Sequence, residues 1–533
     1  MNDDESRAFY AMYGYLPRDE KSQNKKEAMM QRHSNATSSL AVKIKAFSDA
    51  NTFFRIYHGE TNSTRISDRK TDAVLDISCL KNIIDIDKSR KVAIVEPNVS
   101  MDALVAATLK KGLLPQVVPE FPGITVGGAF SGTAAESSSF KYGYFDKSVV
   151  RAEFLLANGT TVEASAEENA DLFHGAVGAC GTLGVGTLFE IQLIESPKYV
   201  QVRYIPTNSI PDALSKLRSH TDSLSAVDFV EAIMFSPTSG AVVVGKLTDT
   251  NDSDVPIVRF TRAKDPWFYL HVHESVAHER YAKCDTCRYS KPRDPYIKGQ
   301  VVELIPVADY VFRYDRGAFW MGIYGQKPQF FNRLSRFLTN PLMRTRAMYK
   351  TMHHSGRSQA FIIQDLAIPQ ESAKEFLTWS DNTLHVYPIW LCPIKAETNV
   401  PLRISNGTLG CPNVINVGLW GLKTTAWPFY ESPVGPAAFK RFIQDNRAIE
   451  SKVHELGGLK WLYAHNYYTE EEFWSVYDKA KYDHLREKWS AESLPNIWDK
   501  MRNDDPEDWA SLRVVQITGD RETRKLARCS KPA

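Results

Sequence analysis

The chain has 533 residues, 43% of them apolar and 24% charged, a balance typical of a globular protein and too long for one ordinary core. Sixty-five lysine and arginine side chains against 63 aspartate and glutamate leave a formal charge of +2, which gives no reason to propose a nucleic-acid partner. Seven cysteines, few and odd in number, exclude a disulfide scaffold and fit a reducing compartment. Cys284 and Cys287 form a single CxxC without a second pair, so no metal site is expected.

Taken in order, the first 35 or so residues are charged and without sustained periodicity, and read as an arm with a short helix. They contain neither a basic start followed by an apolar core nor an apolar window of about twenty residues, so no signal peptide or membrane span is expected. Leu40, Val42, Ile44 and Phe47 mark a helix from Ser38 to Asn51. Phe53, Phe54 and Ile56 read as a buried strand, followed by the polar turn HGETNST from His58 to Thr64. Strands are expected at Val74 to Ile77 and Val92 to Glu96, and Ser100 is expected to cap a helix from Met101 to Lys110 that Gly112 ends.

Next comes ITVGGAFSGTAAESSSFKYG, Ile124 to Gly143, which sets Gly127, Gly128 and Gly132 among Thr125, Ser131, Thr133, Ser137, Ser138 and Ser139. Bare backbone beside small hydroxyls suits the close approach of a large polar ligand. Asn158 and Gly159 signal a hairpin between Arg151 to Leu156 and Thr160 to Ala164. Gly175, Gly178, Gly181, Gly184 and Gly186 then crowd a second loop before a strand at Leu188 to Glu195. Two glycine-dense loops wedged between strands point to one bound cofactor.

Beyond Pro197 the pattern changes to strands at Tyr199 to Tyr204, Asp228 to Phe235 and Ala241 to Leu247, with a helix at Ile210 to His220. Aromatic runs at Trp267 to Glu274, Asp309 to Gly325 and Asn382 to Pro393 suit either core packing or the walls of a site for a flat apolar substrate. The last third holds VINVGLWGL (Val414 to Leu422), KWLYAHNYYTEEEFWSVYD (Lys460 to Asp478) and a charged tail from Asp504.

The stretches VEPNVSMDALVAATLKKGLLPQVVPEFPGITVGG, GTAAESSSFKYGYF, LANGTTV, ENADLF and CGTLG resemble, in order and spacing, the FAD domain of the PCMH-type flavoproteins of the vanillyl-alcohol-oxidase class. Within that class the chain is similar to the Δ24-sterol reductases, in NTLHVYPIWLCP and EEFWSVYDKAKYDHLREK as well, over roughly residues 50 to 500. The resemblance implies an α+β chain: a PCMH-type FAD-binding domain of two α/β subdomains at 38–197 and an α+β cap or substrate domain at 198–460. An arm at 1–37, a segment at 461–503 returning to the flavin domain and a tail at 504–533 complete the expected division.

It also implies non-covalent FAD, although some members of the class attach the flavin through a histidine in the loop that here holds His58. His58, Gly59, Thr61, Asn62, Ser63 and Thr64 are the expected pyrophosphate loop, with fewer glycines than most members have. Thr125, Val126, Gly127, Gly128, Gly132 and Thr133 are expected to follow the cofactor, as are Ser137, Ser138, Tyr142 and Gly143. Gly181, Thr182, Gly184 and Asn466 complete the set. NADPH as electron donor and a sterol-like hydrophobic substrate are implied too. Animal sterol reductases are anchored near the N-terminus, whereas this N-terminus carries no apolar span, so a cytoplasmic location or peripheral association with the endoplasmic reticulum is expected.

The implied reaction adds hydride and a proton across an alkene. An unactivated alkene accepts hydride poorly, so protonation must lead, from a donor within about 3 Å of the carbon. Tyr463, His465 and Tyr468 are the candidates, with Glu136 either a fourth donor or a structural partner of backbone N–H groups. An FAD-dependent oxidase or dehydrogenase, or a flavin-containing cyclase without net redox, acting on a hydrophobic secondary metabolite, is the alternative.

Overall fold

The computed structural model describes residues 20–59, 63–64, 73–222, 226–250, 255–281, 296–297, 300–325, 332–355, 361–395, 413–422 and 436–503. Thr61, Asn62, the Cys284 and Cys287 pair and the tail from Asp504 lie outside them. The described residues mix helix and sheet, and no helix among them is long and apolar enough to cross a membrane.

The first helix runs from Glu20 to Asp49, well before the expected start at Ser38. Its N-terminal half is fixed by polar contacts, which leave no hydrophobic period to read. His33 is buried with Nδ1 2.9 Å from Glu96 and Nε2 3.1 Å from Glu153. Downstream, Leu40 and Ile44 enter the core.

Arg55–Tyr57 and Val74–Asp76 form a small parallel pair, and of the expected strand at 53–56 only Phe54 is buried, Phe53 being exposed. A six-stranded sheet follows, centred on the long strand Val185–Glu195, which pairs antiparallel with Val92–Val95 on one side and Val149–Leu155 on the other. The expected hairpin is present: Val149–Leu155 pairs with Thr161–Ser165, and Gly159 turns with φ +86°, a left-handed conformation that glycine adopts without a Cβ clash. The helix Met101–Leu109 ends before Gly112 as expected, but Ser100 donates its hydroxyl to Asp102 instead of capping.

The larger element is a nine-stranded sheet whose pairings are all antiparallel. Its strands alternate with period two, so each side chain faces opposite to its neighbours. Val230, Ala232, Leu366, Ile415, Val417 and Leu419 point into one core, under the helices Ile210–Thr221, Ala373–Thr383 and Pro436–Glu455. Phe229, Ile233, Ile363, Ala367, Trp390 and Trp420 point into the other core, shared with the six-stranded sheet. By the same alternation Glu231 and Asn416, both buried, and the half-buried Asp365 share that second face. A sheet buried on both faces thus turns Glu231 and Asp365 toward the flanking N-terminal region, while Lys460 pairs with Glu450 of the helix Pro436–Glu455.

Candidate active site

The site begins with a cleft of about 520 Å³ between the two glycine-dense loops. Its walls include Gly59, Gly127, Gly128, Gly132, Gly181, Gly184 and Gly186. Thr125 shapes the first loop: its Oγ1 accepts the Gly128 N–H at 3.2 Å and starts the short helix Val126–Ser131. Ser131 donates to the Gly127 carbonyl at 2.6 Å. At Gly127 a Cβ would stand 2.8 Å from Pro97 Cβ, so the loop could not lie so close to its neighbour with a side chain there. In the second loop Cys180 and Gly181 take left-handed φ of +51° and +74° in succession, and the Cys180 N–H ties this loop to the Ser131 carbonyl of the first at 3.1 Å.

The C-terminal segment closes the cleft. The Tyr463 carbonyl accepts from Ser63 Oγ at 2.7 Å and from the Thr64 N–H at 3.2 Å. Trp461 Nε1 donates to the Thr133 carbonyl at 2.6 Å, and Lys500 Nζ to the Cys180 carbonyl at 2.6 Å. A long cleft of bare main chain with hydroxyls and a lysine fits a cofactor that joins an anionic pyrophosphate to flat rings. The residues that would hold FAD are Gly127, Gly128, Gly181 and Gly184, by the close approach that a missing side chain allows, with His58, Ser63, Thr125 and Lys500 by side chain.

Of the expected residues, His58, Gly59, Ser63, Thr125, Gly127, Gly128, Gly132, Gly181, Gly184 and Tyr463 line this cleft, and Thr133 lines the adjoining hollow beneath Trp461. Thr64 sits just behind, fully buried. Val126 turns into the core, and the Thr182 hydroxyl is taken up by the Ala179 carbonyl at 2.7 Å and the Tyr482 hydroxyl at 2.7 Å. Tyr142 and Gly143 stand away from the cleft, with Gly143 packed beside Lys147.

His465, Asn466 and Tyr468 also fall behind the cleft. His465 packs edge-on to Phe442 and parallel to Tyr467, Asn466 Oδ1 accepts the Tyr468 N–H, and the Tyr468 ring faces Lys460. Of the four candidates in this segment, Tyr463 alone lines the cleft.

Tyr463 meets a partner that sequence reading missed. Its hydroxyl donates to Asp365 Oδ2 at 2.6 Å, and Asn416 Nδ2 donates to Asp365 Oδ1 at 3.1 Å. Burial raises the Asp365 carboxyl, the hydrogen bonds from Tyr463 and Asn416 opposing it. Burial, then the Asp365 charge, puts the Tyr463 phenol well above its ordinary range. A lone aspartate inside the apolar run FIIQDLAIP was the available signal.

Glu136 lies in a second buried group. It accepts from Ser137 Oγ at 2.8 Å and from Ser138 Oγ, with the Ser138 backbone N–H beside them, so it is a structural partner of hydroxyls as well as of main chain. Arg313 Nη2 donates to Ser137 Oγ at 3.0 Å and pairs with Glu231 at 2.8 Å. Tyr314 and Trp390 add donors to Glu231 at 3.1 and 2.8 Å. Glu120 faces the same group, and burial together with the charge of Glu136 pushes its carboxyl well above the usual range. One guanidinium thus ties the serine run of the glycine loop to the large sheet and fixes how the two halves meet.

Residues 36–165 match the FAD binding domain family. The chain is 29% identical over 432 residues to the Delta(24)-sterol reductase of Homo sapiens, a match covering 79% of this chain and 76% of that one. It is 28% identical over 451 residues to the Delta(24)-sterol reductase of Pisum sativum, covering 78% and 74%. A shorter match, 31% over 136 residues, relates it to cytokinin dehydrogenase 9 of Oryza sativa subsp. japonica, covering 25% and 26%.

Proposed function

We propose that this chain, an FAD-dependent oxidoreductase with a PCMH-type FAD-binding domain, reduces a carbon–carbon double bond of a sterol or similar hydrophobic isoprenoid, with NADPH as electron donor. The observation that carries the reading is the half-buried Tyr463–Asp365 pair at the wall of a cleft suited to FAD. The similarity to Delta(24)-sterol reductases supports the substrate class.

Bound FAD supplies the hydride chemistry. The chain supplies the rest. Tyr463 holds its hydroxyl at the cleft and delivers the proton to the alkene carbon that does not take hydride. Asp365 fixes that hydroxyl and, raised by burial, returns a proton to it. Phe121 stands with its ring centre 5.4 Å from Phe319, 5.7 Å from Trp420 and 6.1 Å from Tyr349. Phe121 meets them edge to face at 65°, 81° and 65°, in an apolar cluster whose ring quadrupoles favour cationic character at carbon as the proton arrives. All four rings are buried, which keeps water from quenching that charge.

The reading is tested by anaerobic mixing of the FAD-loaded protein with NADPH, followed by a sterol bearing a side-chain alkene. Bleaching of the flavin and a product about 2 Da heavier support it. A flavin that NADPH leaves oxidised, or a product about 2 Da lighter, favours the oxidase or non-redox alternatives.

A further inference from the structure

The segment 332–355 carries an apolar stripe on the wrong side for folding. In the helix Arg333–Leu338 and the turn Asn340–Met343, the side chains of Leu334, Phe337, Leu338 and Leu342 are 67%, 50%, 67% and 65% exposed. They recur at the spacing of one helical face, the pattern that in a globular protein is buried, yet the helix Arg333–Leu338 buries none of its residues. Four of the nine large apolar side chains most exposed among the described residues are therefore concentrated within nine positions. Scattered singly they would need no explanation; in one stripe they mark a surface that binds something.

The charge around the stripe chooses the partner. Residues 332–355 hold Arg333, Arg336, Arg344, Arg346 and Lys350 and no aspartate or glutamate. Arg344 and Arg346 pair with Asp315 and Asp102 on the body of the protein, which anchors the base of the segment, while Arg333 stands exposed beside Leu334 at its tip. An apolar stripe rimmed by cations matches the interface of a bilayer containing anionic lipid, where apolar side chains enter the acyl boundary and cations stay among the headgroups.

We infer that the 332–342 segment is a docking surface for an anionic lipid membrane. It packs against the aromatic cluster: the Met343 carbonyl accepts the Gly317 N–H at 2.7 Å, and Met343 packs on the core that holds Phe319, Phe121 and Trp420. Tyr349, on the helix that follows, reaches Phe121 directly. Docking there would set the side of the protein that carries the aromatic cluster against the phase in which a hydrophobic isoprenoid dissolves. That last step rests on the proposed function; the docking itself does not.

The test is co-sedimentation of the full chain with vesicles of phosphatidylcholine alone or with about one third phosphatidylserine. The wild type is expected to pellet with the anionic vesicles, less with the neutral ones and less again at high salt. Leu338→Glu with Leu342→Glu, both exposed and so safe for folding, is expected to lower the bound fraction by roughly tenfold while FAD content and melting temperature stay unchanged. Arg333→Glu is expected to weaken binding to anionic vesicles only. A wild type that stays in solution with both vesicles overturns the inference, as does a double variant that binds like the wild type. A wild-type dimer that the double variant converts to monomer without loss of vesicle binding would make the stripe a contact between copies and also overturn it. Because the readout is lipid binding, failure here leaves the redox reading untouched, and failure to turn over a sterol leaves this result untouched.

Discussion

Tyr463 Oη and Asp365 Oδ2 stand 2.6 Å apart and join the wall of the glycine-lined cleft to the inner face of the nine-stranded sheet. One partner comes from the C-terminal segment and the other from a strand about a hundred residues earlier. The contact exists only because the strand Ile362–Pro369 pairs with both Asn413–Gly421 and Leu459–Lys460. Gly418 is part of the arrangement, since a Cβ there would lie 2.9 Å from Asp365 Oδ1.

Removing the Tyr463 hydroxyl should separate chemistry from cofactor binding. Tyr463→Phe is expected to lower the rate of product formation by about a hundredfold or more, with flavin absorbance and NADPH-driven bleaching retained. Asp365→Asn should act more mildly and change the pH profile. Burial raises Asp365, so the wild-type rate falls as pH climbs past that raised value, and the Asn variant should lose this limb. Steady-state rates across pH, with flavin content measured on each variant, decide it.

Gly181 should matter to the cofactor and Gly112 only to the fold. Both have left-handed φ, +74° and +72°, so an alanine costs each backbone about 1–2 kcal/mol. At Gly181 the added Cβ would also meet Ile56 Cδ1 at 3.2 Å across the cleft, whereas at Gly112 nothing lies within 4 Å. Gly181→Ala is expected to purify with reduced flavin, and Gly112→Ala with full flavin at a similarly lowered melting temperature. Absorbance ratios of the two purified variants test this.

His33 should make stability depend on alkaline pH. Burial pulls its imidazolium down, but hydrogen bonds to Glu153 and Glu96 outweigh that and push it up to about 9 from 6.5. A folded value above the unfolded one means that the charged pair stabilises fully below pH 6.5 and loses its contribution as pH rises through about 9. His33→Gln should therefore melt well below the wild type at pH 6, and the gap should close by about pH 10. Thermal melts of both proteins over that range are the check.

Arg313 is the buried cation between the two halves. Arg313→Met leaves Glu231 with its Tyr314 and Trp390 donors but without a countercharge, next to Glu120 and Glu136. A loss of about 3–5 kcal/mol is expected. Arg313→Lys should recover part of it, because an ammonium replaces the charge but not the forked geometry. Denaturant titrations followed by tryptophan fluorescence measure both.

What could be read from the chain was what is decided locally. Gly159 in its hairpin, Gly112 after its helix and the glycines of both loops answer to φ and to close approach, which depend on a few neighbouring residues. Asp365 could not be assigned, because its role comes from strand pairing with residues far along the chain. His465, Asn466 and Tyr468 share a segment with Tyr463, and only the packing of the helix Pro436–Glu455, which brings Phe442 against His465, turns them away from the cleft. The early start of the first helix escaped for a related reason: His33 is held by two carboxylates from other elements, and ion pairs leave no periodic trace.

The most direct measurement is a single turnover. FAD-loaded protein reduced by NADPH, freed of excess nucleotide and mixed without oxygen with a sterol bearing a side-chain alkene, is followed at the flavin absorbance and by mass spectrometry. The yellow colour should return as a product about 2 Da heavier forms, and Tyr463→Phe should slow both together. A flavin that stays bleached with sterol unchanged, or a variant that turns over at the wild-type rate, would contradict the proposed reaction.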